Sequence, residues 1–351
     1  MNKKIAVLPG DGIGPEVTAV AVNVLKKVAE KYTHQFTFEE GLVGACAIDE
    51  TGSPFPDATL QLCQSADAIL FGAIGHPKYD NDPTAPVRPE QGLLAMRKAL
   101  GLFANIRPVN TFKVLADASP LKREIVEGVD FVVFRELTGG SYFGAKGRSE
   151  DRTSAYDTCT YTHDEILRIT QLAFEAAGKR RKKVTLVDKA NVMETSRLWR
   201  EVVQKYATGF PDIELELMFV DNAAMALIQN PRRFDVILTE NMFGDILTDE
   251  ASVITGSLGM LPSASVGSRV ALYEPIHGSY PQAAGKNIAN PMAAVLSAAT
   301  LLETSFNLMA EGKAVRQAVE EALNQGFVTV DINPDQYLTT SEVGEKICSF
   351  I

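Results

Sequence analysis

Asp245 and Asp249 stand four residues apart in the run Glu240-Asn241-Met242-Phe243-Gly244-Asp245-Ile246-Leu247-Thr248-Asp249-Glu250. The run reads as a helix start, and that spacing places both carboxylates on one face, about 5–6 Å apart at Cβ. Two unpaired like charges there repel, and a hard divalent cation with oxygen ligands is the natural group to sit between them. The apolar run Phe234–Leu238 and Thr239 just upstream read as a buried strand. The pair therefore falls at a strand's carboxyl end, where open α/β sheets place their ligands. Arg97, Arg107 and Arg135 each sit at the edge of an apolar segment, where a buried guanidinium needs an anion. Any one alone reads as a surface or structural arginine. Together with the acid pair they suggest a di-acid chelated to a metal and clamped by bidentate contacts. Lys189, in Val187-Asp188-Lys189-Ala190-Asn191, follows a strand. A lysine there can titrate downward and serve as a base, or snorkel at the surface. Asp221, in Val220-Asp221-Asn222, is a third acid at a strand end. Its commoner job is a helix N-cap, and the two jobs are compatible.

Positioning these residues requires a sheet. Strand-like runs at Lys4–Leu8, Ala68–Phe71, Phe131–Phe134, Val184–Val187, Glu214–Val220 and Asp235–Thr239 alternate with helical patterns. Helices are expected at Pro15–Lys31, Asp164–Ala177, Ser196–Tyr206, Asn222–Gln229, Pro291–Met309 and Lys313–Gln325. This alternation means an α/β fold with a mostly parallel sheet. Gly75–Gln91 reads as a long loop feeding a helix, and such loops are often functional. Gly10-Asp11-Gly12-Ile13-Gly14 has the spacing G-x-G-x-G rather than G-x-G-x-x-G. It is best read as a glycine turn that lets strand and helix pack closely. Lys179–Lys183 is a cationic helix end and a solvated turn. The long loop Glu274–Pro291 carries small residues that permit close backbone approach to phosphates; His277 within it is by itself more often structural.

Bulk properties narrow the class. At 351 residues the chain is too long for one core and suggests two domains. A net charge of -10 argues against nucleic acid and anionic membranes as main partners. No apolar run is long enough to span a bilayer. The amino-terminal stretch lacks the apolar core of a signal peptide. Cys46, Cys63, Cys159 and Cys348 lie far apart without C-x-x-C and read as reduced thiols of a cytoplasmic protein. The histidines show no zinc spacing.

Several segments carry a resemblance over Lys4 to Ser349. They include Leu8-Pro9-Gly10-Asp11-Gly12-Ile13-Gly14-Pro15-Glu16, Arg88-Pro89-Glu90, Gly92-Leu93-Leu94 and Arg135-Glu136-Leu137-Thr138-Gly139-Gly140. Asp188-Lys189-Ala190-Asn191-Val192, Phe243-Gly244-Asp245-Ile246-Leu247, Gly256-Ser257-Leu258-Gly259 and Glu274-Pro275-Ile276-His277-Gly278-Ser279 continue it. In this order they resemble the isocitrate/isopropylmalate family of metal-dependent β-decarboxylating dehydrogenases, and most closely its members acting on 3-isopropylmalate. The resemblance implies a two-domain α/β fold with a mostly parallel sheet that is not a standard Rossmann domain. Residues 1–102 and 255–351 would form a first, cofactor-binding domain. Residues 103–254 would form a second, which makes a homodimer and carries an exchanged arm at about 135–161.

Roles are implied at the matching positions. Asp245 and Asp249, with Asp221 from the other subunit, would hold Mg²⁺ or Mn²⁺. Arg97, Arg107 and Arg135 would bind substrate carboxylates, with Glu90 and Asp221 also at the substrate. Lys189, which with Asp221 would reach into the neighbour's cleft, would take the C2 hydroxyl proton, and Tyr142 would protonate the enolate. Glu274, His277, Gly278, Gln282, Gly285 and Asn290 would lie along NAD. Leu93 and Leu94 on the helix bearing Arg97, with Val192 from the other subunit, would enclose a branched alkyl group. The activity implied is oxidative decarboxylation of 3-isopropylmalate to 2-oxoisocaproate and CO₂ in leucine biosynthesis. Rivals are a D-malate or tartrate dehydrogenase and, in another class, a cofactor-free decarboxylase or di-acid binding protein. Gln282 stands where many relatives carry an Asp that repels a 2′-phosphate. Tyr280 replaces a small residue and His76 a glycine.

Overall fold

A computed structural model describes residues 1–80 and 86–351. In chain order the first elements are β1 (Asn2–Gly10), α1 (Gly14–Tyr32), β2 (Gln35–Glu40), α2 (Ala45–Thr51), α3 (Asp57–Ser65), β3 (Ala68–Ala73), α4 (Pro77–Asp80) and α5 (Pro89–Leu100). The middle holds β4 (Leu102–Asn110), α6 (Arg123–Val126), β5 (Asp130–Glu136), β6 (Lys146–Arg148), β7 (Ala155–Asp157), α7 (His163–Gly178), β8 (Lys183–Asp188), α8 (Glu194–Ala207), β9 (Glu214–Phe219), α9 (Val220–Gln229), β10 (Val236–Thr239) and α10 (Asn241–Ser252). The chain ends with β11 (Pro262–Gly267), β12 (Ala271–Pro275), α11 (Met292–Thr304), α12 (Met309–Asn324) and α13 (Thr340–Phe350). Two units result: Met1–Leu102 with Ser257–Ile351, and Phe103–Gly256. The alternation is α/β and the strands are mostly parallel, as the sequence predicts.

In the first unit the strands run β2-β1-β3-β12-β11, parallel except for the antiparallel pair of β11 and β12. The Gly10-Asp11-Gly12 turn closes β1. Gly10 and Gly12 hold φ of +71° and +61°, and a Cβ on Gly12 would strike the Ser279 carbonyl. Glycine is thus obligatory there, and the turn is structural. Asp11 is buried and fastens the turn. Its carboxylate accepts from the backbone N–H of Ala45 at 2.8 Å, Cys46 at 2.9 Å and Gly75 at 3.0 Å.

In the second unit the order is β4-β5-β10-β8-β9, parallel except for β4 against β5. Alternate residues of these strands feed two cores. Val132, Phe134, Val184, Leu186, Val236 and Leu238 pack with Ile166, Phe174 and Trp199 of α7 and α8. Phe131, Val133, Val187 and Ile237 pack with Ala223, Leu227, Leu247 and Ala251 of α9 and α10. A sheet covered on both faces reads as continuous apolar runs, which is why these strands were legible. The β6–β7 hairpin stands outside the sheet.

Several expectations need correction. The helix predicted over Pro291–Met309 stops at Thr304, because Asn307 takes a left-handed φ of 54° and α12 restarts at Met309. Lys179–Lys183 is not simply solvated. Arg180 reaches Asp235 at 2.8 Å and Asp130 at 2.7 Å, Lys183 reaches Glu216 at 3.0 Å, and Arg181 donates to the Phe234 carbonyl. Of the loop expected over Gly75–Gln91, residues 81–85 lie outside the described residues; Pro77–Asp80 and the stretch from Pro89 are helical. His76 is exposed, and its Nδ1 accepts from Lys78 N.

Asp11→Ala should cost about 3 kcal/mol of stability, because three buried N–H donors lose their acceptor. Urea denaturation measures this; a loss below about 1 kcal/mol would mean that water replaces the carboxylate.

Candidate active site

Parallel register sets the second unit's site. Thr239 on β10 pairs with Arg135 on β5, so the start of α10 comes up beside that arginine. Glu240 caps the helix by accepting from Phe243 N at 2.7 Å. Gly244 faces Arg135: a Cβ there would lie 2.6 Å from Arg135 Cγ, so only glycine admits this approach. The next residue, Asp245, accepts from Arg135 Nη1 at 2.5 Å. Arg135 is 4% exposed as a side chain and Asp245 35%, so the arginine is the desolvated partner that requires an anion. Asp249 takes Arg107 Nη1 at 3.2 Å, and Thr248 Oγ1 accepts from the same nitrogen at 2.7 Å. The two acids that the sequence places on one helix face thus meet two of the three expected arginines.

Tyr142 lies in the short turn after Gly139-Gly140. It donates from Oη to Asp245 Oδ2 at 2.8 Å. Burial first, then the bond to Asp245, pushes its phenol up to about 12. The hydroxyl therefore keeps its proton across neutral pH.

Asp188 on β8 pairs with Phe219 on β9, which sets Lys189 beside the start of α9. Lys189 Nζ donates to Asp221 Oδ1 at 2.8 Å. This bond holds the Asp221 carboxyl below its ordinary pKa. Asp221 is not an N-cap: the cap is Phe219, and Asp221 sits in the first turn. The lysine backbone is anchored by Ser196 Oγ, and buried Asp188 binds Arg200 and Ala190 N. Among the described residues no three His, Cys, Asp or Glu side chains converge as a metal cluster, so one chain does not by itself gather Asp221 with Asp245 and Asp249. The donors are carboxylate oxygens, the class that suits a hard divalent cation.

The remaining candidates belong to the first unit. Arg97 on α5 approaches Glu274 on β12 at 3.6 Å, and Glu274 also accepts from Ser265. Asn290 is buried and occupied: its amide donates to Asp331 at 3.1 Å and its Oδ1 accepts from Met292 N at 3.0 Å. His277 Nδ1 is 3.0 Å from the Gly278 carbonyl, and burial lowers its pKa, so the ring is neutral at pH 7. Its Nε2 is buried with no hydrogen-bond partner among the described residues. A Cβ on Gly278 or Gly285 would meet open space. An orphaned ring nitrogen beside an open glycine loop fits a ligand with a polar edge, such as a dinucleotide. Gln282 and Lys286 are exposed on the same loop.

The apolar candidates differ from one another. Leu93 is partly buried and packs on the first unit's core, whereas Leu94 is 39% exposed and Val192 65%. Leu93 is thus largely a core residue, while Leu94 and Val192 are available to a ligand. Glu90 is exposed in the first turn of α5.

The structure adds residues that sequence reasoning missed. Glu16 on α1 holds the Gly285–Asn287 turn, accepting from Gly285 N at 2.5 Å and Asn287 N at 3.0 Å. Glu136, fully buried, accepts from Thr138, Gly139 N and Arg168. Tyr161 bridges Glu240 and Asn241 N. Desolvation pushes both glutamates above the ordinary carboxylate range. Acids inside Arg135-Glu136 and Thr239-Glu240 flank apolar strands, and that placement was the available signal.

The isocitrate/isopropylmalate dehydrogenase family model matches residues 4–347. The 3-isopropylmalate dehydrogenase of Bacteroides fragilis (strain YCH46) is 56% identical over 353 residues, covering 100% of this chain and 99% of that protein. That of Geobacillus kaustophilus (strain HTA426) is 57% identical over 352 residues, covering 99% and 95%. Among solved structures, isocitrate dehydrogenase from Methylococcus capsulatus superposes with a TM-score of 0.89 at 33% identity, covering 99% of each chain. A match along nearly the whole length, in sequence and in fold, means that this chain belongs to the isocitrate/isopropylmalate dehydrogenase family.

Proposed function

We propose that the chain oxidatively decarboxylates 3-isopropylmalate to 2-oxoisocaproate and CO₂ for leucine biosynthesis, with NAD and Mg²⁺ or Mn²⁺. The observation that carries the chemistry is the pairing of Arg107 and Arg135 with Asp249 and Asp245 beside Tyr142. The substrate class rests on relatives named 3-isopropylmalate dehydrogenase at 56% and 57% identity. A D-malate or tartrate specificity is not favoured by them.

Arg97, Arg107 and Arg135 bind the substrate carboxylates. Lys189 accepts the C2 hydroxyl proton while the C2 hydride departs. Loss of CO₂ leaves its electron pair on C3, and Tyr142, protonated at neutral pH, delivers a proton there. Asp245 and Asp249, with the partner's Asp221, would hold the divalent cation. When bound, the cation supplies Lewis acidity at the C2 oxygen and NAD supplies the hydride acceptor. Glu274, His277, Gly278, Gln282, Gly285 and Asn290 would lie along NAD. Gln282 and Ala283 offer no basic pair to a 2′-phosphate, and exposed Lys286 is the one cation nearby among the described residues of that loop, which supports NAD over NADP.

The second unit supplies the homodimer. Met225 and Ile228 on α9 and Ile246 and Val253 at α10 are exposed apolar residues on packed helices. Such a face suits a two-fold contact with a second copy, and the β6–β7 hairpin suits an exchanged arm. A cytoplasmic location is the reading that four unpaired cysteines support, since a reducing compartment keeps thiols free. No helix among the described residues is long and apolar enough to cross a membrane.

Chelation should abolish turnover, and Asp249→Asn should raise the divalent-metal concentration needed for half-activity about tenfold or more, the loss of one charged ligand. Full activity after exhaustive EDTA dialysis refutes the metal role. Lys189→Ala and Asp245→Asn should each be nearly inactive alone, yet mixed refolding should restore activity, because both lesions then fall in one of two shared sites. No recovery in verified mixed dimers rules out sharing.

Substrate choice is tested by kcat/KM for 3-isopropylmalate, D-malate, tartrate and isocitrate, with NAD and NADP. An isopropyl group buries about three carbons, roughly 2.4 kcal/mol at about 0.8 kcal/mol each, or nearly two decades over malate. With Leu93 in the core, Leu94 and Val192 carry that contact. Equal efficiency with D-malate would overturn the substrate assignment.

A further inference from the structure

Each of the second unit's two site arginines is held from behind by a buried asparagine. Asn105 Oδ1 accepts from Arg107 Nε at 2.7 Å. Asn241 Oδ1 accepts from Arg135 Nε at 3.1 Å and from Nη2 at 2.8 Å. Both asparagines are buried. Asn105 stands on β4 in register with Arg135 on β5, and Asn241 opens α10.

The Asn241 amide is itself fixed. Its Nδ2 donates to the Gly139 carbonyl at 3.1 Å, and its backbone N donates to Tyr161 Oη at 3.0 Å. Tyr161 Oη in turn donates to Glu240 Oε2 at 3.0 Å. The carbonyl oxygen must therefore face the guanidinium.

The chemistry of the acceptor matters. An amide oxygen orients a guanidinium without neutralising it, whereas a carboxylate at the same place would take up its charge. The charged partners, Asp245 and Asp249, lie at the other edge, on Nη1 of each arginine. If the acids alone held the arginines, orientation would be lost whenever an acid took another partner. The amides keep it.

We infer that Asn105 and Asn241 are positioning residues that hold Arg107 and Arg135 in place while leaving their positive charge for the substrate's carboxylates. This rests on the reading that those arginines bind the carboxylates.

The test measures kcat, KM for 3-isopropylmalate, KM for Mg²⁺ and Tm at saturating NAD. The variants are Asn105→Asp, Asn241→Asp and Asn241→Ala, with Arg107→Lys and Arg135→Lys as controls on the reading itself. The Asn→Asp variants should raise the substrate KM about tenfold or more, with kcat and the Mg²⁺ KM within about threefold; Asn241→Asp should also lower Tm, because it loses the donor to the Gly139 carbonyl. Asn241→Ala should show the same split if it folds; if it does not fold, Asn241→Asp decides. Wild-type substrate KM in the Asn→Asp variants, while Arg→Lys raises it, overturns the inference and leaves the reading standing. A fall in kcat and Tm with KM unchanged marks a merely structural role and also overturns it. Unchanged KM in the Arg→Lys variants overturns the reading, and the inference with it.

Discussion

Parallel pairing of β5, β10, β8 and β9 is the constraint on which the second unit's site depends. Parallel strands all end at the same edge of their sheet. Register then fixes which ends are neighbours: Thr239 beside Arg135, and Asp188 beside Phe219. Arg135 meets the helix that follows β10, and Lys189 meets the helix that follows β9. Residues separated by more than a hundred positions thereby come within hydrogen-bond distance, as Arg135 and Asp245 do. A one-residue slip would turn Arg135 to the other face of the sheet, and the alternating apolar residues of the two cores oppose that slip.

Charge balance decides how the cluster is held. Arg135 is nearly inaccessible, so its charge must keep an anion at hand. Asp245 serves, and being partly exposed it retains solvation. Glu136 and Glu240 are buried more deeply and are raised by desolvation. Each is surrounded by donors: Thr138, Gly139 N and Arg168 for the first, Phe243 N and Tyr161 for the second. These donors tie the Arg135–Gly140 turn, α7 and the start of α10 together. The turn that carries Tyr142 therefore rests on a network with little freedom to shift.

Legibility in the sequence followed burial and spacing. The strands Phe131–Phe134, Val184–Val187 and Asp235–Thr239 were visible because both faces are covered. β11 was not: Pro262-Ser263-Ala264-Ser265-Val266-Gly267 is small and polar, though four of its residues are buried. α13 was missed although Thr339 and Glu342 form a capping box. The acid pair could be read from its spacing of four. Its partners could not, since Arg107 and Asp249 are joined by the fold rather than by the chain. Asp11 was hidden within a glycine turn whose conformation explained the motif without it. Leu93 reads as a pocket residue in the sequence because its helix carries Arg97. Neighbours on a helix diverge by about 100°, and the core claims Leu93 while Leu94 faces outward.

The arginine–acid pairs bear on how a dicarboxylate can enter under the proposed function. In the chain alone, each arginine is already paired with a carboxylate. A dicarboxylate that binds the arginines must displace Asp245 and Asp249 from them. Two carboxylates then lose their cations while two more arrive, which stacks like charge at one sheet edge. A divalent cation arriving with the substrate would remove that penalty, because the freed aspartates would be there to hold it. The exchange leaves no charge unpaired, so binding of di-acid and metal should be mutually favourable. Orientation of the guanidiniums must survive the exchange. Neutral acceptors behind them, which have no reason to follow the cation, are the groups suited to preserve it.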